Sequence, residues 1–269
     1  MQSRFPAYKI EESILNKSGV GKMHQIQSWL DEYGIKNYTI NNKGEIDVGG
    51  DVSLSGHDLT EFPSYIQFGV IKGSFYCNYN NLISLRGCPK KVEGSFRCYN
   101  NKLTSLEGSP EIVRGDFNCD NNILTTLEGA PREAGGSFNC MFNQLTSLRG
   151  CPRIVKRNLN CNNNNITTLE GAPKKVGGCF YCSFNSLTTL KGAPKKINGS
   201  FFCNNNNLET LKGSPEEVRG NFDCEKNNLT TLKGAPNEVR GYFNCRYNST
   251  KFTEDDVRKV CNVKREIMV

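Results

Sequence analysis

The stretch FRCYNNKLTSLEGSPEIVRGD, residues 96–116, is one unit of a repeat that determines the fold. Its cysteine, Cys98, recurs at intervals of 21 residues from Cys77 to Cys245. Phe stands two residues before each of these cysteines, with Leu159 as the exception, and Asn stands three residues after each. Leucine positions and a Gly-x-Pro follow in every unit but the last. Because periods of roughly 20 to 50 residues are typical of stacked repeats, the sequence predicts a solenoid.

Each unit carries the residues that a stacked core needs. Phe and Cys alternate with polar residues, so a short strand with both side chains pointing inward is expected. The two leucines and a later valine, Val113 in this unit, close the far side of the core. Glycine allows positive φ at the turns, and proline fixes the returning segment. One unit cannot bury its own apolar side, whereas stacked units bury a continuous core.

This unit resembles the leucine-rich repeat, whose pattern is Leu-x-Leu-x-x-Asn-x-Leu, with cysteine in one leucine position. The trailing proline resembles the short bacterial type of that repeat. The resemblance implies a β-rich solenoid, a right-handed array of about ten rungs of 21 residues with a parallel concave sheet and small α/β caps. It also implies an asparagine ladder, in which the repeated Asn side chains bond backbone groups of neighbouring rungs that would otherwise be buried without partners.

The regular repeat stops on both sides, which divides the chain into three predicted parts. Residues 1–50 are expected to form an N-terminal helix–hairpin cap, residues 51–250 the solenoid, and residues 251–269 a C-terminal helical cap. Leu54 takes the cysteine position of a degenerate first rung, which carries a two-residue insertion before Cys77. Caps close an exposed core, as solenoids require.

Local patterns predict the elements of the caps. Helical spacing of apolar residues indicates a helix over residues 23–33, and residues 10–15 fit a further short helix. A polar turn at residues 41–44 between two apolar segments indicates a β-hairpin. Thr253, which three acidic residues follow, is typical of a helix N-terminus, and residues 267–269 fit a last strand.

The whole chain resembles a second, narrower family. The motif WLDEY at residues 29–33, the motif NYTIN at 37–41, the array, and the ending TEDDV at 253–257 occur together in leucine-rich-repeat proteins encoded by large tailed bacteriophages. The resemblance implies that the chain works in the cytosol of an infected bacterium. It implies no catalytic residue.

The 13 cysteines are interpreted as free thiols. The N-terminal residues are polar and lack the apolar segment of a signal peptide, and no stretch of apolar residues is long enough for a membrane span, so a reducing, cytoplasmic setting is expected. Cys179 and Cys182 have a spacing found in zinc sites, but Cys182 belongs to the core column, and we expect no metal or cofactor. The column cysteines are expected to be buried, whereas Cys88, Cys151 and Cys179 are expected to react sooner with a thiol reagent.

The sequence favours a protein without enzymatic activity. Its two histidines, His24 and His57, fall on the cap helix and on the asparagine position of the first rung. Neither has a nucleophile that the repeat would place beside it. The carboxylates on the rungs are interpreted as solvated surface groups.

The predicted binding surface is the outward face of the concave sheet. Side chains one residue before, one after and two after each cysteine are expected to point outward, because Phe and Cys fill the inward positions. Large apolar residues in those positions suggest a partner-binding face. The alternative is that some of them lie flat over neighbouring asparagines and only protect the sheet. The candidate contact residues are Tyr76, Tyr99, Met141, Phe142, Tyr181, Phe184 and Phe202.

The leading hypothesis is therefore a protein-binding module that captures and inhibits a host protein, one of antiviral defence being an example. The net charge of +7 permits attraction to nucleic acid, and paired lysines follow the proline in several rungs. A nucleic-acid or nucleotide binder that uses these lysines with the exposed aromatic rings is thus a second hypothesis. A structural protein of the virion is a third. We expect no interaction with a membrane.

Overall fold

The computed structural model describes residues 17–269, and the strands of these residues confirm the predicted solenoid. Most rungs of 21 residues contribute two strands of two residues each, with a three-residue bend between them. Strands of successive rungs pair in parallel, and each residue faces its counterpart in the next rung, as Phe96 faces Phe117. The backbone therefore repeats in register with the sequence.

The first sheet, here called the cysteine sheet, consists of the strands that lead into the cysteine column. It contains 11 strands, one more than the ten rungs expected, because a strand near the C-terminus extends the array. The strand Val52–Ser53 confirms the degenerate first rung. The strands are Val52–Ser53, Phe75–Tyr76, Phe96–Arg97, Phe117–Asn118, Phe138–Asn139, Leu159–Asn160, Phe180–Tyr181, Phe201–Phe202, Phe222–Asp223, Phe243–Asn244 and Ile267–Met268.

A second set of strands follows the proline in the regular rungs, and the sequence pattern did not predict these strands; it predicted only the two hairpin strands that begin the larger of the sheets. The members of this set form two sheets, here called the valine sheets. The larger sheet has eight strands: Tyr38–Ile40, Ile46–Val48, Phe68–Ile71, Lys91–Val92, Ile112–Val113, Glu133–Ala134, Ile154–Val155 and Lys175–Val176. The smaller sheet has four strands: Lys196–Ile197, Glu217–Val218, Glu238–Val239 and Asn262–Val263. The second residue of each two-residue strand points into the core, so the first residue is free to vary.

The core is a series of residue columns that run along the solenoid. The phenylalanine column is fully buried, and its rings contact one another from rung to rung, with centroids 5.8 Å apart for Phe75 and Phe96 and 5.2 Å apart for Phe117 and Phe138. Leu159 interrupts this column, which resumes at Phe180. Each fully buried side chain of this size contributes about 1.5–3 kcal/mol to folding. The core is thus continuous although no rung has one of its own.

The asparagine ladder implied by the resemblance is present. Asn101 donates from Nδ2 to the carbonyl oxygen of Cys98 in its own rung and to that of Cys77 in the preceding rung, both at 3.0 Å. Its Oδ1 accepts the backbone N–H of Leu82 at 2.9 Å. The same three bonds recur at Asn122, Asn143 and Asn164 and continue along the array. Each asparagine therefore fixes two rungs to each other.

The column cysteines make a directional contact besides filling space. The thiol of Cys161 donates to the carbonyl oxygen of Tyr181 in the next rung, with sulfur and oxygen 3.2 Å apart, and Cys182 does the same toward Phe202. A thiol is a weak donor, so the contribution of each bond is small, but it explains a preference for cysteine over alanine in this column.

A further side-chain ladder lies three residues before each column cysteine. The side chain at this position accepts the backbone N–H of its counterpart in the next rung, as Asp116 accepts from Ser137 at 2.7 Å and Asn158 from Cys179 at 2.8 Å. Cys179 belongs to this ladder, and its sulfur lies 3.3 Å from the backbone nitrogen of Ser200. It is half-exposed, as is Cys151. The expectation that Cys88 is accessible was wrong, because the turn before Pro89 buries it to 2% exposure.

The described part of the N-terminal region consists of one helix and the predicted hairpin. Helix α1 spans Lys17–Glu32, so it begins six residues before the predicted start and ends close to the predicted end. It buries Trp29 and Leu30 over the first rungs, and the Trp29 ring lies 6.3 Å from that of Phe68. The hairpin strands pair antiparallel, and the second one continues the larger valine sheet. The short helix predicted at residues 10–15 lies outside the described residues.

The C-terminal end begins with helix α2, which spans Glu254–Arg258. Thr253 is its N-cap, as predicted: the Thr253 hydroxyl accepts from the backbone of Asp256, and the Asp256 carboxylate accepts from the backbone of Thr253. Val257 is buried against the end of the array. The three-part division at residues 50 and 250 stays a prediction, since both end regions share sheets with the rungs.

Candidate functional site

The outer face of the cysteine sheet is built from two kinds of position. Residues directly before and after each cysteine lie on or beside a strand, and residues two after each cysteine lie in the turn that leaves it. The candidate residues Tyr76, Tyr181 and Phe202 belong to the strands, and Tyr99 and Met141 directly follow the cysteines at the strand ends. Phe142 and Phe184 occupy the turn. The sequence pattern predicted one uniform surface, whereas the structure separates a half-buried group from an exposed one.

The turn position has left-handed backbone geometry in every rung of the cysteine column. Its φ lies between 50° and 55° in all nine rungs. Such a φ suits glycine and, among other residues, asparagine best, because a larger side chain crowds the neighbouring backbone. Asparagine accordingly occupies four of these nine positions. The nine residues are Tyr79, Asn100, Asn121, Phe142, Asn163, Phe184, Asn205, Lys226 and Tyr247.

Four aromatic residues occupy this strained position and are exposed. The exposed fractions are 59% for Tyr79, 46% for Phe142, 53% for Phe184 and 69% for Tyr247. A non-glycine residue held at this geometry costs of the order of 1–3 kcal/mol, and less for asparagine. Since exposed rings gain little from burial within the chain, neither the backbone nor the core of this protein explains their presence.

Among the half-buried candidates, some rings contact one another and one contacts an exposed ring of the turn position. Tyr181 and Phe202 stack with ring centroids 5.1 Å apart and planes 7° apart. The Tyr99 ring meets that of Tyr79 edge-on at 5.1 Å, and burial raises the pKa of the Tyr99 hydroxyl. These rings therefore cover neighbouring strands and still present one surface to solvent.

Two further candidates cover polar neighbours. The Arg97 guanidinium lies over the ring of Tyr76, 5.2 Å from its centroid. The Met141 sulfur lies 3.2 Å from the side-chain nitrogen of Asn160. Tyr76 and Met141 thus fit the protective alternative as well as a binding role.

Two acidic residues lie on this face, one on each side of the rungs that carry Phe142 and Phe184. Asp120 is buried beside Asn121 and Asn139, and this burial raises the pKa of its carboxyl group. Burial also raises the pKa of Asp223, whose carboxylate accepts from the Asn244 amide at 3.3 Å. Between these two acids, in the rungs of Cys140 to Cys203, the residues one before, one after and two after each cysteine are all uncharged, and Phe142 and Phe184 are among them.

The paired lysines lie away from the aromatic rings. Lys91, Lys175 and Lys196 are the outward residues of strands in the valine sheets, which a bend separates from the cysteine sheet. The fold therefore does not place these lysines and the aromatic rings on the same sheet, as a nucleic-acid site that combines them would require. The sequence pattern had already placed these lysines on the returning segment, away from the aromatic rings. It assigned no strands to that segment, although its column of Val, Ile and Ala was the available signal.

Both histidines are exposed and neither fills a ladder position with its side chain. The expectation for His57 was wrong: its backbone N–H donates to Asn80 Oδ1, while its ring packs edge-on against Tyr33 at 5.0 Å. Within residues 17–269, no group of three or more His, Cys, Asp or Glu side chains is arranged to hold a metal ion. Neither helix in that range has the length and apolar character to cross a membrane.

Comparison with known proteins gives one distant structural similarity. No protein-family model matches the chain, and no curated protein matches it. Among solved structures, YopM from Yersinia enterocolitica WA-314 is similar at 16% sequence identity and a TM-score of 0.45. The match covers 81% of this chain and 65% of YopM, so the chain spans less than two thirds of that structure.

Proposed function

We propose that the protein is a binding module without enzymatic activity, and that it captures another protein on the outer face of the cysteine sheet. The contact is centred on Phe142 and Phe184, with the stacked pair Tyr181 and Phe202 beside them. These rings lie on three rungs out of four in the middle of the array. Central aromatic anchors commonly dominate the energy of protein interfaces.

The observation that supports this proposal is the geometry of the turn position. Asparagine would satisfy the left-handed backbone of Phe142 and Phe184, and it does so at Asn163 between them. The two phenylalanines instead hold exposed rings at a cost to folding. Strain that a fold does not require is typical of functional positions.

The partner is proposed to be a host protein of an infected bacterium, which the module would inhibit in the cytoplasm. This part of the proposal derives from the resemblance to bacteriophage repeat proteins and from no contact in the structure. The surface is consistent with a partner that offers apolar pockets, because the outer face of the cysteine sheet presents aromatic rings and neutral polar groups in the central rungs.

The test begins with capture of partners from a lysate of the bacterial host by the tagged protein. The captured protein is identified, purified and titrated against the wild type and the double variant Phe142→Asn/Phe184→Asn. We expect the double variant to bind at least 100-fold more weakly, since truncating an anchor ring costs about 2 kcal/mol or more.

A matched control is Lys226→Asn, which relieves the same backbone strain without removing a ring. It should retain wild-type affinity. Equal affinity of the wild type and the double variant would contradict the proposal, as would an equal loss in the control.

A further inference from the structure

The charge of the chain is concentrated in four successive rungs. Residues 130–200 contain ten Lys and Arg residues against two Glu residues, which gives this segment a net charge of +8. The whole chain carries +7, so the remaining residues sum to −1. The modest net charge of the chain therefore results from one strongly basic segment, while the rest of the chain is nearly neutral.

Half of these cations lie on or beside the valine sheet without an acidic partner. Within the described residues, Lys156 pairs with Glu133 at 2.8 Å and Lys191 with Glu170 at 2.9 Å, and Lys195 and Lys196 pair with glutamates of the following rung. Six exposed cations of residues 130–200 make no ion pair with a described residue: Arg149, which follows the second leucine of its rung, and five that follow a proline on the returning segment. These five, here called the basic patch, are Arg132, Arg153, Arg157, Lys174 and Lys175.

Arg157 stands four residues before its column cysteine, a position that is glycine in the other eight rungs of the column. A Cβ at Gly115, Gly199 or Gly220 would lie 2.7 Å from the backbone of the preceding rung, which is closer than side-chain carbons approach. At Arg157 the backbone is slightly further from the preceding rung: its N–H donates to the Gly136 carbonyl oxygen at 3.1 Å, whereas the equivalent bonds of Gly115 and Gly220 are 2.8 Å long. The solenoid thus accepts a packing disturbance to hold an exposed cation here.

The larger valine sheet ends inside the same region. Its last strand is Lys175–Val176, and the next rung begins the smaller sheet at Lys196–Ile197. Lysines stand at equivalent positions on both sides of this break. Like charges on neighbouring strands oppose pairing, so an anion placed between them would favour it.

We infer that the basic patch binds the phosphate backbone of nucleic acid, independently of base sequence and separately from the proposed protein-binding face. Arg132, Arg153 and Lys174 are equivalent residues of three consecutive rungs, which strand spacing places over roughly 10 Å. This row of cations matches a linear polyanion. The patch segments 130–137, 151–158 and 172–179 contain no aromatic ring to stack on bases, so phosphates are the groups recognised.

A protein partner fits this patch less well. Protein interfaces have an apolar centre from which charges are depleted. Here the centre is charged, and Ile154 is the one large apolar side chain exposed in these segments, at 36%. Acidic residues of the valine sheets on both sides, Glu93, Glu111, Glu216 and Glu217 among them, limit the footprint to a few phosphates.

The test is fluorescence anisotropy with the full chain and two labelled DNA duplexes of unrelated sequence. The wild type should bind both equally, and its affinity should fall roughly 100-fold between about 50 mM and about 200 mM salt, as for about four phosphate contacts. In the triple variant Arg153→Gln/Arg157→Gly/Lys174→Gln, the negative slope of log affinity against log salt should become shallower, by about 0.9 for each cation removed.

Two variants separate binding from folding. Arg157→Gly restores the glycine of the column, so its denaturation midpoint should rise or stay unchanged while DNA binding weakens. Lys212→Gln/Lys233→Gln removes two exposed cations outside the patch and should leave the slope unchanged. The inference is overturned if the wild type shows no salt-dependent binding or if both multiple variants lose affinity equally. Binding of polyglutamate as tightly as DNA would also overturn it, in favour of an acidic protein.

Discussion

The side-chain amide of Asn164 donates a hydrogen bond to the carbonyl oxygen of Cys140, 3.1 Å away and one rung earlier. The same amide reaches Cys161 in its own rung, and its oxygen accepts from the backbone of Leu145. These groups are buried, so no water replaces the amide once it is removed. The stability of the central rungs therefore depends on a side chain that contributes no apolar surface.

Replacement of Asn164 by Ala is expected to lower the free energy of unfolding by at least about 1–3 kcal/mol, because backbone groups of two rungs lose their partners. The measurement is the midpoint of denaturant unfolding. Asn165→Ala is the matched control, since Asn165 is the exposed neighbour. If the two variants unfold at the same midpoint, the ladder does not carry this stability.

Phe184→Asn is expected to stabilise the fold by about 1 kcal/mol, because asparagine tolerates the left-handed backbone at φ 54° better than phenylalanine does. Phe184→Ala should gain little, since alanine has a Cβ and no compensating polar group. Thermal unfolding of the two variants distinguishes relief of strain from simple loss of the ring. A lower midpoint for Phe184→Asn would show that the ring stabilises the turn.

Stability is expected to fall in alkaline solution. Burial raises the pKa of the Cys140 thiol from 9.0 to about 12, and burial acts in the same direction on most of the cysteine column. Between those two values, the unfolded chain has released its proton and the folded protein has not. The free energy of unfolding therefore decreases as pH rises, by about 1.4 kcal/mol per pH unit for each thiol. Below about pH 9 both states are neutral and the effect vanishes.

Denaturant titrations from about pH 7 to about pH 11 measure this slope. The variant Cys140→Ala should have a lower free energy of unfolding at neutral pH. Above about pH 9, its free energy of unfolding should decrease less steeply with pH than that of the wild type, by the contribution of one thiol. An unchanged slope would mean that other groups, such as tyrosines, govern the alkaline loss.

Cys179 should react first with a thiol reagent, and Cys151 second. Both are half-exposed, but burial raises the pKa of Cys151, which lowers its thiolate fraction. The column cysteines and Cys88 should react only on unfolding, because their exposed fractions are 2% or less. Mass spectrometry after brief alkylation gives the order. Labelling of Cys161 in the native protein at the rate of Cys179 would contradict the solenoid core described above.

The sequence was sufficient for the features that a period of 21 residues carries. The inward Phe and Cys columns follow from residue types at fixed spacing, and the asparagine ladder was implied by the resemblance that this spacing carries. The Thr253 cap, outside the array, was predicted from the three acidic residues that follow it. The strands of the valine sheets do not, since a two-residue strand such as Ile112–Val113 is too short to show an alternation. The start of helix α1 at Lys17 was missed because Gly19 and Gly21 weaken helical propensity there.

The candidate site was predictable only in part. Alternation with the core correctly predicted that Phe142 and Phe184 are exposed. It could not show that they lie past the strand, in a left-handed turn, because four asparagines and four aromatic rings share that position without one consensus residue. The basic patch was also hidden, because the sequence order intersperses glutamates that the folded rungs pair with other lysines.

The constant register of the strands also bears on how the gene can change in length. Removing any 21 consecutive residues within the array joins equivalent positions, so every surviving Asn still finds its carbonyl and every Phe its neighbouring ring. A change in the number of rungs would therefore alter the total stability of the array but not its register, and it would bring different surface residues next to one another.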